Sequence, residues 1–282
     1  MREIRFIKEN FGLKIYSADL KGKIVFIKEP ISSEGQSMIA REYANQKFLW
    51  ELSQKDNLGF KFLKPSIIDN KLVFPYLGDE FEWLSNQKKN RIKPIGTYFN
   101  ELSRFIIYCH DKIIQKQLPH PIKQDSLQRS KQNALNKFEA DADYLLKNKI
   151  ITRFQLSDLR KNFLGIADVR AFQHHDPVPW HMAKHKKTKE IYLIDSGWAG
   201  WSLWAYDISY FILQIIAYGN DLRTVKYFYQ RMKNIYAKNP DFDQYLGGAL
   251  AYRGVRLLAE LHKNKKIKHL KKIRTIMIKG KV

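Results

Sequence analysis

The chain has 282 residues, enough for one large domain or two packed lobes around a real core, which excludes a short peptide, a fibre and a repeat array. A hydrophobic share of 44% with 13% aromatics excludes wholesale disorder, so the formal charge of +22 has to sit on a folded surface that attracts phosphates, nucleic acid or an anionic membrane. The single cysteine, Cys109, excludes an intramolecular disulfide and any multi-cysteine zinc site, and fits a reducing compartment.

The first ten residues scatter Arg2, Glu3, Arg5, Lys8 and Glu9 among apolar ones and lack the uninterrupted apolar segment of a secretory signal. The longest apolar stretch, 208–218, falls short of the ~20 residues a membrane span needs. A cytoplasmic protein is expected. Ile4-Arg5-Phe6 and Leu13-Lys14-Ile15 alternate apolar with polar as half-buried strands do, and Ile24 to Ile27 forms a third strand ending in Lys28. From Met38 to Leu52 the spacing turns helical, with Ala40, Tyr43, Ala44, Phe48 and Leu49 near one face. Ser66 to Ile68 and Leu72 to Phe74 return to strand character around a turn at Asp69-Asn70. After Gly78 the texture is helical over 98–112, 134–146, 158–166, 206–218, 222–236 and 242–261, with a polar crossing at 115–132 and a non-helical insert at 172–194. The change near Gly78 divides the chain into 1–77 and 78–282.

The insert carries the chemistry. It contains His174-His175-Asp176, then His181, and closes with an apolar strand, Ile191 to Ile194, followed by Asp195. A hairpin would bring Asp176 and Asp195 together at one end of a small sheet, one carboxylate free to take a proton and the other to hold a cation. Four histidines, 174, 175, 181 and 185, crowd the same segment; a metal hydrolase could use them, although their spacing matches no zinc signature. Bland roles are open to each residue: His174 as a buried ring, Asp176 as a turn-former before Pro177, Lys28 and Glu42 as a solvated lysine and a helix-surface acid.

His174-x-Asp176, four residues, His181, then Ile194-Asp195 resembles the core of the aminoglycoside phosphotransferase and choline kinase group, small-molecule kinases with a protein-kinase-like fold. The resemblance covers nearly the whole chain and lies in the order of the parts. It implies an α+β, two-lobed architecture, with a small antiparallel-sheet N-lobe binding nucleotide and a larger, mainly helical C-lobe. It also implies roles: Asp176 as catalytic base, Asp195 and His181 as ligands of Mg2+, Lys28 on the phosphates of ATP or GTP with Glu42 as its ion-pair partner, and Phe74 and Tyr76 in the hinge against adenine. Asp207 would brace the catalytic loop. Three departures stand out: His181 replaces the group's asparagine, only Asn10-Phe11-Gly12 serves as a phosphate loop, and Asp195 is followed by Ser196-Gly197-Trp198 rather than an aromatic and an acid. They keep a second expectation in play, a catalytically weak kinase-like protein that binds an anionic partner.

Charge bears on the acceptor. From Asp207 onward there are five acids against sixteen lysines and arginines, where the group's cationic acceptors need acids, so a neutral or anionic acceptor is expected. The basic run 263–281, with Ile273 and Ile276 among its cations, suits a solvated terminal helix or an anionic membrane surface. No nucleic-acid motif is present. Trp198, Trp201 and Trp204 are expected in the core.

Overall fold

The computed structural model describes residues 2–86, 91–119, 131–219, 221–266 and 269–281. Residues 120–130 of the expected polar crossing lie outside these. An antiparallel sheet of order β1-β2-β3-β5-β4 opens the chain, built from β1 (Arg2–Asn10), β2 (Leu13–Leu20), β3 (Lys23–Pro30), β4 (Ser66–Ile68) and β5 (Lys71–Pro75). Strand alternation gives this sheet two apolar faces. Leu13, Ile15, Leu72 and Phe74 pack on one with Ile39 of α1 (Ser33–Lys55), while Tyr16, Ala18, Val25, Ile27 and Val73 pack on the other.

Helix α1 differs from its expected orientation. Ala40 is exposed and Tyr43, Ala44 and Phe48 are only half-buried; the buried stripe is Gly35, Ile39, Glu42, Asn45, Gln46, Leu49 and Ser53. A face that mixes polar with apolar residues hides its periodicity. It is buried because its amides serve the C-terminal half: Asn45 Nδ2 donates to the carbonyls of Ser196 at 2.9 Å and Ala199 at 3.0 Å, and Gln46 Oε1 accepts from the Ser196 hydroxyl at 2.5 Å.

The rest of the chain is mainly helical: α2 (Phe99–Asp111), α3 (Lys131–Lys147), α4 (Arg153–Leu164), α5 (Tyr206–Gln214), α6 (Leu222–Ile235), α7 (Phe242–Lys263) and α8 (Leu270–Lys279). Short strands intervene that helical periodicity does not announce. β6 (Phe81–Trp83) joins β10 (Met182–His185) and β11 (Ile191–Leu193), β7 (Ser85–Asn86) pairs β8 (Arg91–Ile92), and β9 (Arg170–Gln173) pairs β12 (Gly200–Leu203). One large core fills this half, and Leu58, Phe60 and Phe62 from before β4 are buried in it, the two phenylalanines each 5.7 Å from Phe105. Trp201 and Trp204 pack against this core, partly buried, the latter 4.2 Å from the His110 ring, whereas Trp198, expected with them, is 46% exposed. On α8, Ile273, Ile276 and Met277 are buried, so its apolar face is taken up internally and its cations face outward. Among the described residues no helix is long and apolar enough to cross a membrane.

Candidate active site

Lys28 owes its position to strand register. Ile15, Lys28 and Leu72 are cross-strand neighbours, so the lysine projects from the face of the sheet that α1 covers. Glu42 comes down from the buried stripe of α1, and Lys28 Nζ lies 2.6 and 2.8 Å from its two carboxylate oxygens and 3.2 Å from Asp195 Oδ1. Burial alone would lower the ammonium's pKa, yet Asp195 and then Glu42 hold it well above its usual range. Lys28 therefore stays charged, and it in turn keeps the Asp195 carboxyl far below the ordinary aspartate range.

The loop after β9 is pinned from behind. His174 is fully buried, and burial pushes its pKa down to about 3, so the ring is neutral. His175 adopts a left-handed backbone with φ 74°. Asp207, at the start of α5, accepts from the His174 and His175 amides at 2.7 Å each, which holds that strained turn. Asp207 is itself fixed by its own N–H, which donates to Gln173 Oε1 at 2.9 Å, and the Gln173 amide nitrogen contacts His110 Nε2 at 3.1 Å. The turn presents Asp176, whose pKa burial raises, with His181 partly offsetting it.

The β10–β11 hairpin returns the chain to the same place. Met182 pairs Leu193, and the Ile194 amide donates to the His181 carbonyl at 3.0 Å, so Asp195 emerges beside His181. His181 Nδ1 donates to the Asp176 carbonyl at 3.2 Å and lies 3.3 Å from Asp176 Oδ2, while Nε2 faces Asp195 Oδ2 at 3.7 Å. Asp176, His181 and Asp195 can each aim one ligand atom within 4.8 Å of the others. Asp176 Oδ1 is buried with no hydrogen-bond partner, an orphan acceptor of the kind a cation satisfies. Two carboxylates and a ring nitrogen suit a divalent metal ion.

Two cavities flank this cluster. The first, about 270 Å3, is lined by Ile15, Phe26, Lys28, Phe74, Tyr76 and Asp195, among others: an apolar slot with a charged end. The second, about 290 Å3, is lined by Asp176 and shares no residue with the first. All the residues singled out from the sequence, Lys28, Glu42, Phe74, Tyr76, Asp176, His181 and Asp195, line one cavity or join the acid cluster between them. Four contributors were not singled out: Asn45 and Gln46 of α1, and Tyr210 and Arg253, which line the second cavity. For the two amides the available signal was polar residues one turn beyond Glu42. The Phe11-Gly12 turn, the only phosphate-loop candidate, rests on the start of α1, where the Gly12 carbonyl accepts from the Ile31 amide at 2.8 Å.

No protein-family model matches the sequence, and no curated protein does either. Solved structures do. Choline kinase LicA from Streptococcus pneumoniae superposes with a TM-score of 0.54 at 12% identity, over 94% of this chain and 88% of that one. Amicoumacin kinase hAmiN, solved with AMP-PNP, Ca2+ and Ami, gives 0.59 at 15% identity, over 98% and 88%. Spectinomycin phosphotransferase APH(9)-Ia, solved with ADP and its antibiotic, gives 0.56 at 14%, over 98% and 91%. The chain has the fold of the choline kinases and aminoglycoside phosphotransferases. At these identities the likeness is one of architecture: an antiparallel-sheet N-terminal part and a helical C-terminal part.

Proposed function

We propose that the chain is a small-molecule phosphotransferase that moves the γ-phosphate of ATP or GTP to a hydroxyl of a neutral or anionic acceptor. The observation that carries this is the placement of Asp195 and Asp176, 3.7 and 3.3 Å from the two ends of one imidazole, each lining a different cavity. One cavity suits a flat base with a polyphosphate, and the other suits an acceptor. Fold neighbours solved with ADP and AMP-PNP support the same assignment.

Each residue then has a physical task. Phe74 and Tyr76 border the base, and Lys28, fixed by Glu42, sets a permanent positive charge at the phosphates. Asp176 takes the hydroxyl proton as that oxygen forms its bond to phosphorus and the bond to the diphosphate breaks. Burial, which raises its pKa, makes it a better base than an exposed aspartate. Asp195 with His181 would hold Mg2+, which neutralises charge moving onto the leaving phosphates.

Thermal shift with ATP and GTP, with and without Mg2+, paired with γ-phosphate transfer by the wild type and Asp176→Ala, tests the proposal. Nucleotide binding with transfer lost in Asp176→Ala is expected. Absence of nucleotide binding would refute it. A second reading, a kinase-like binding protein with little turnover, is favoured by the nitrogen ligand of His181 and by Lys28 already facing two acids; it predicts nucleotide binding without transfer by the wild type.

A further inference from the structure

The cavity beside Asp176 is unusually rich in cations. Lys137 of α3, Arg170 of β9 and Arg253 and Arg256 of α7 line it, against two acids, Asp176 itself and Glu260. Arg253 and Arg256 are three residues apart and so share one face of α7. Arg253 is only 7% exposed, yet its Nε has no hydrogen-bond partner, and among the described residues no carboxylate lies within 4.0 Å of it. Its guanidinium lies over the Tyr210 ring, 4.7 Å from the centroid, and Tyr210 and Asp176 line the same cavity. Arg256 donates to the Tyr252 hydroxyl at 3.2 Å and lies over that ring at 5.6 Å.

A guanidinium is costly to bury without an anion, and aromatic faces meet only part of that demand. What is missing in the cavity is an acceptor for the buried Arg253 Nε–H, one edge of a guanidinium fork that a phosphate or carboxylate fits better than a hydroxyl does. A neutral acceptor would leave the fork unused. A cationic one would face four like charges against two acids, a net repulsion. We propose that the acceptor is an alcohol that itself carries an oxyanion, phosphate or carboxylate, gripped by Arg253 and Arg256 while its hydroxyl lies at Asp176. This rests on the phosphotransferase assignment and narrows it to one chemical class.

The test uses the full chain saturated with AMP-PNP and Mg2+, so that phosphate subsites of the nucleotide cleft are filled, at ~0.15 M NaCl to screen the basic surface. Inorganic phosphate and acetate are titrated calorimetrically into the wild type, Arg256→Ala and Arg253→Lys, each checked for a native melting transition. One or both anions should bind the wild type, the stronger marking the class, and either variant should weaken that binding by about tenfold or more, the range for hydrogen bonds to a charged group. Phosphate and acetate that bind neither protein, or bind wild type and variants alike, would overturn the proposal. So would a screen of alcohols pooled by charge in which the neutral or cationic pool received the phosphate. If AMP-PNP does not bind at all, the phosphotransferase assignment fails and the acceptor role with it, while loss of phosphate binding in the variants would still register an anion subsite.

Discussion

At the scale of single residues, the decisive contact is Lys28 between Glu42 and Asp195. Its side chain is 11% exposed and that of Glu42 only 5%, so removing the lysine strands a buried carboxylate. Lys28→Met should destabilise the fold by about 3 kcal/mol or more, and adding Glu42→Gln should recover much of it, because the charge then left without its cation is that of Asp195, whose side chain is 42% exposed. Chemical denaturation of the two single variants and the double variant measures this. The pH dependence has a definite sign. Asp195 is held below its unfolded value by Lys28, so its stabilisation is complete above the free aspartate pKa near 4 and is lost as pH falls from there through its depressed folded value. The wild type should therefore lose more stability between pH 6 and pH 3 than Lys28→Met does. Asp176 is displaced the other way, by burial, so the acid limb of the transfer rate should lie above that of an exposed aspartate and vanish with Asp176→Asn.

At the scale of elements, the hairpin turn between β1 and β2 is welded to the start of α1. Gly12 has φ +69°, and a Cβ there would come 2.0 Å from Ser32 Oγ; a Cβ on Gly35 would come 2.0 Å from the Gly12 carbonyl oxygen, which is backbone and cannot swing away. Gly35→Ala should cost about 1–3 kcal/mol and weaken nucleotide binding by lifting the turn off the cleft, whereas Gly22→Ala in the β2–β3 turn, with nothing within 4 Å but φ +75°, should cost about 1 kcal/mol through its own backbone and leave binding alone. Calorimetric melting and nucleotide titration of the two variants distinguish these effects. Strands β2 to β5 were legible because period-2 alternation and turn residues agree in them, and the acids of the site because a hairpin with an apolar second strand has few ways to fold; β1 is a strand as expected, but with Phe6 and Ile7 50% and 44% exposed it is not the half-buried one its alternation suggested. The buried face of α1 was not, since Glu42, Asn45 and Gln46 face the other half of the molecule and carry no hydrophobic signal. Strands β6, β7, β8 and β12 are two to four residues long, too short for a periodicity to register. Arg253 read as one more cation of a basic chain; only burial against Tyr210 separates it from the rest.

At the scale of the molecule, the first cavity is built from both parts, Ile15, Phe26 and Phe74 from the sheet and Ile194 and Asp195 from the hairpin, so a nucleotide there contacts two separately cored units at once. A ligand at a hundred times its Kd adds about 2.7 kcal/mol to stability, which for a chain of this size raises the midpoint by roughly 5 °C and should merge any early loss of the sheet with the main transition. The charge of +22 enters as a modulator. Under the proposed assignment, nucleotide phosphates at Lys28 would meet a charge shielded by the protein, whereas distant surface cations act through solvent and fade once the Debye length falls from about 10 Å at 0.1 M salt to a few ångström at 1 M. The thermal shift by nucleotide should therefore shrink with added NaCl at fixed nucleotide concentration but persist at 0.5 M, while in Lys28→Met the remainder should disappear. Differential scanning fluorimetry across a salt series, in both proteins, gives the comparison; a shift in Lys28→Met equal to that of the wild type at every salt concentration would show that the general surface charge, and not the Lys28 cleft, captures the nucleotide.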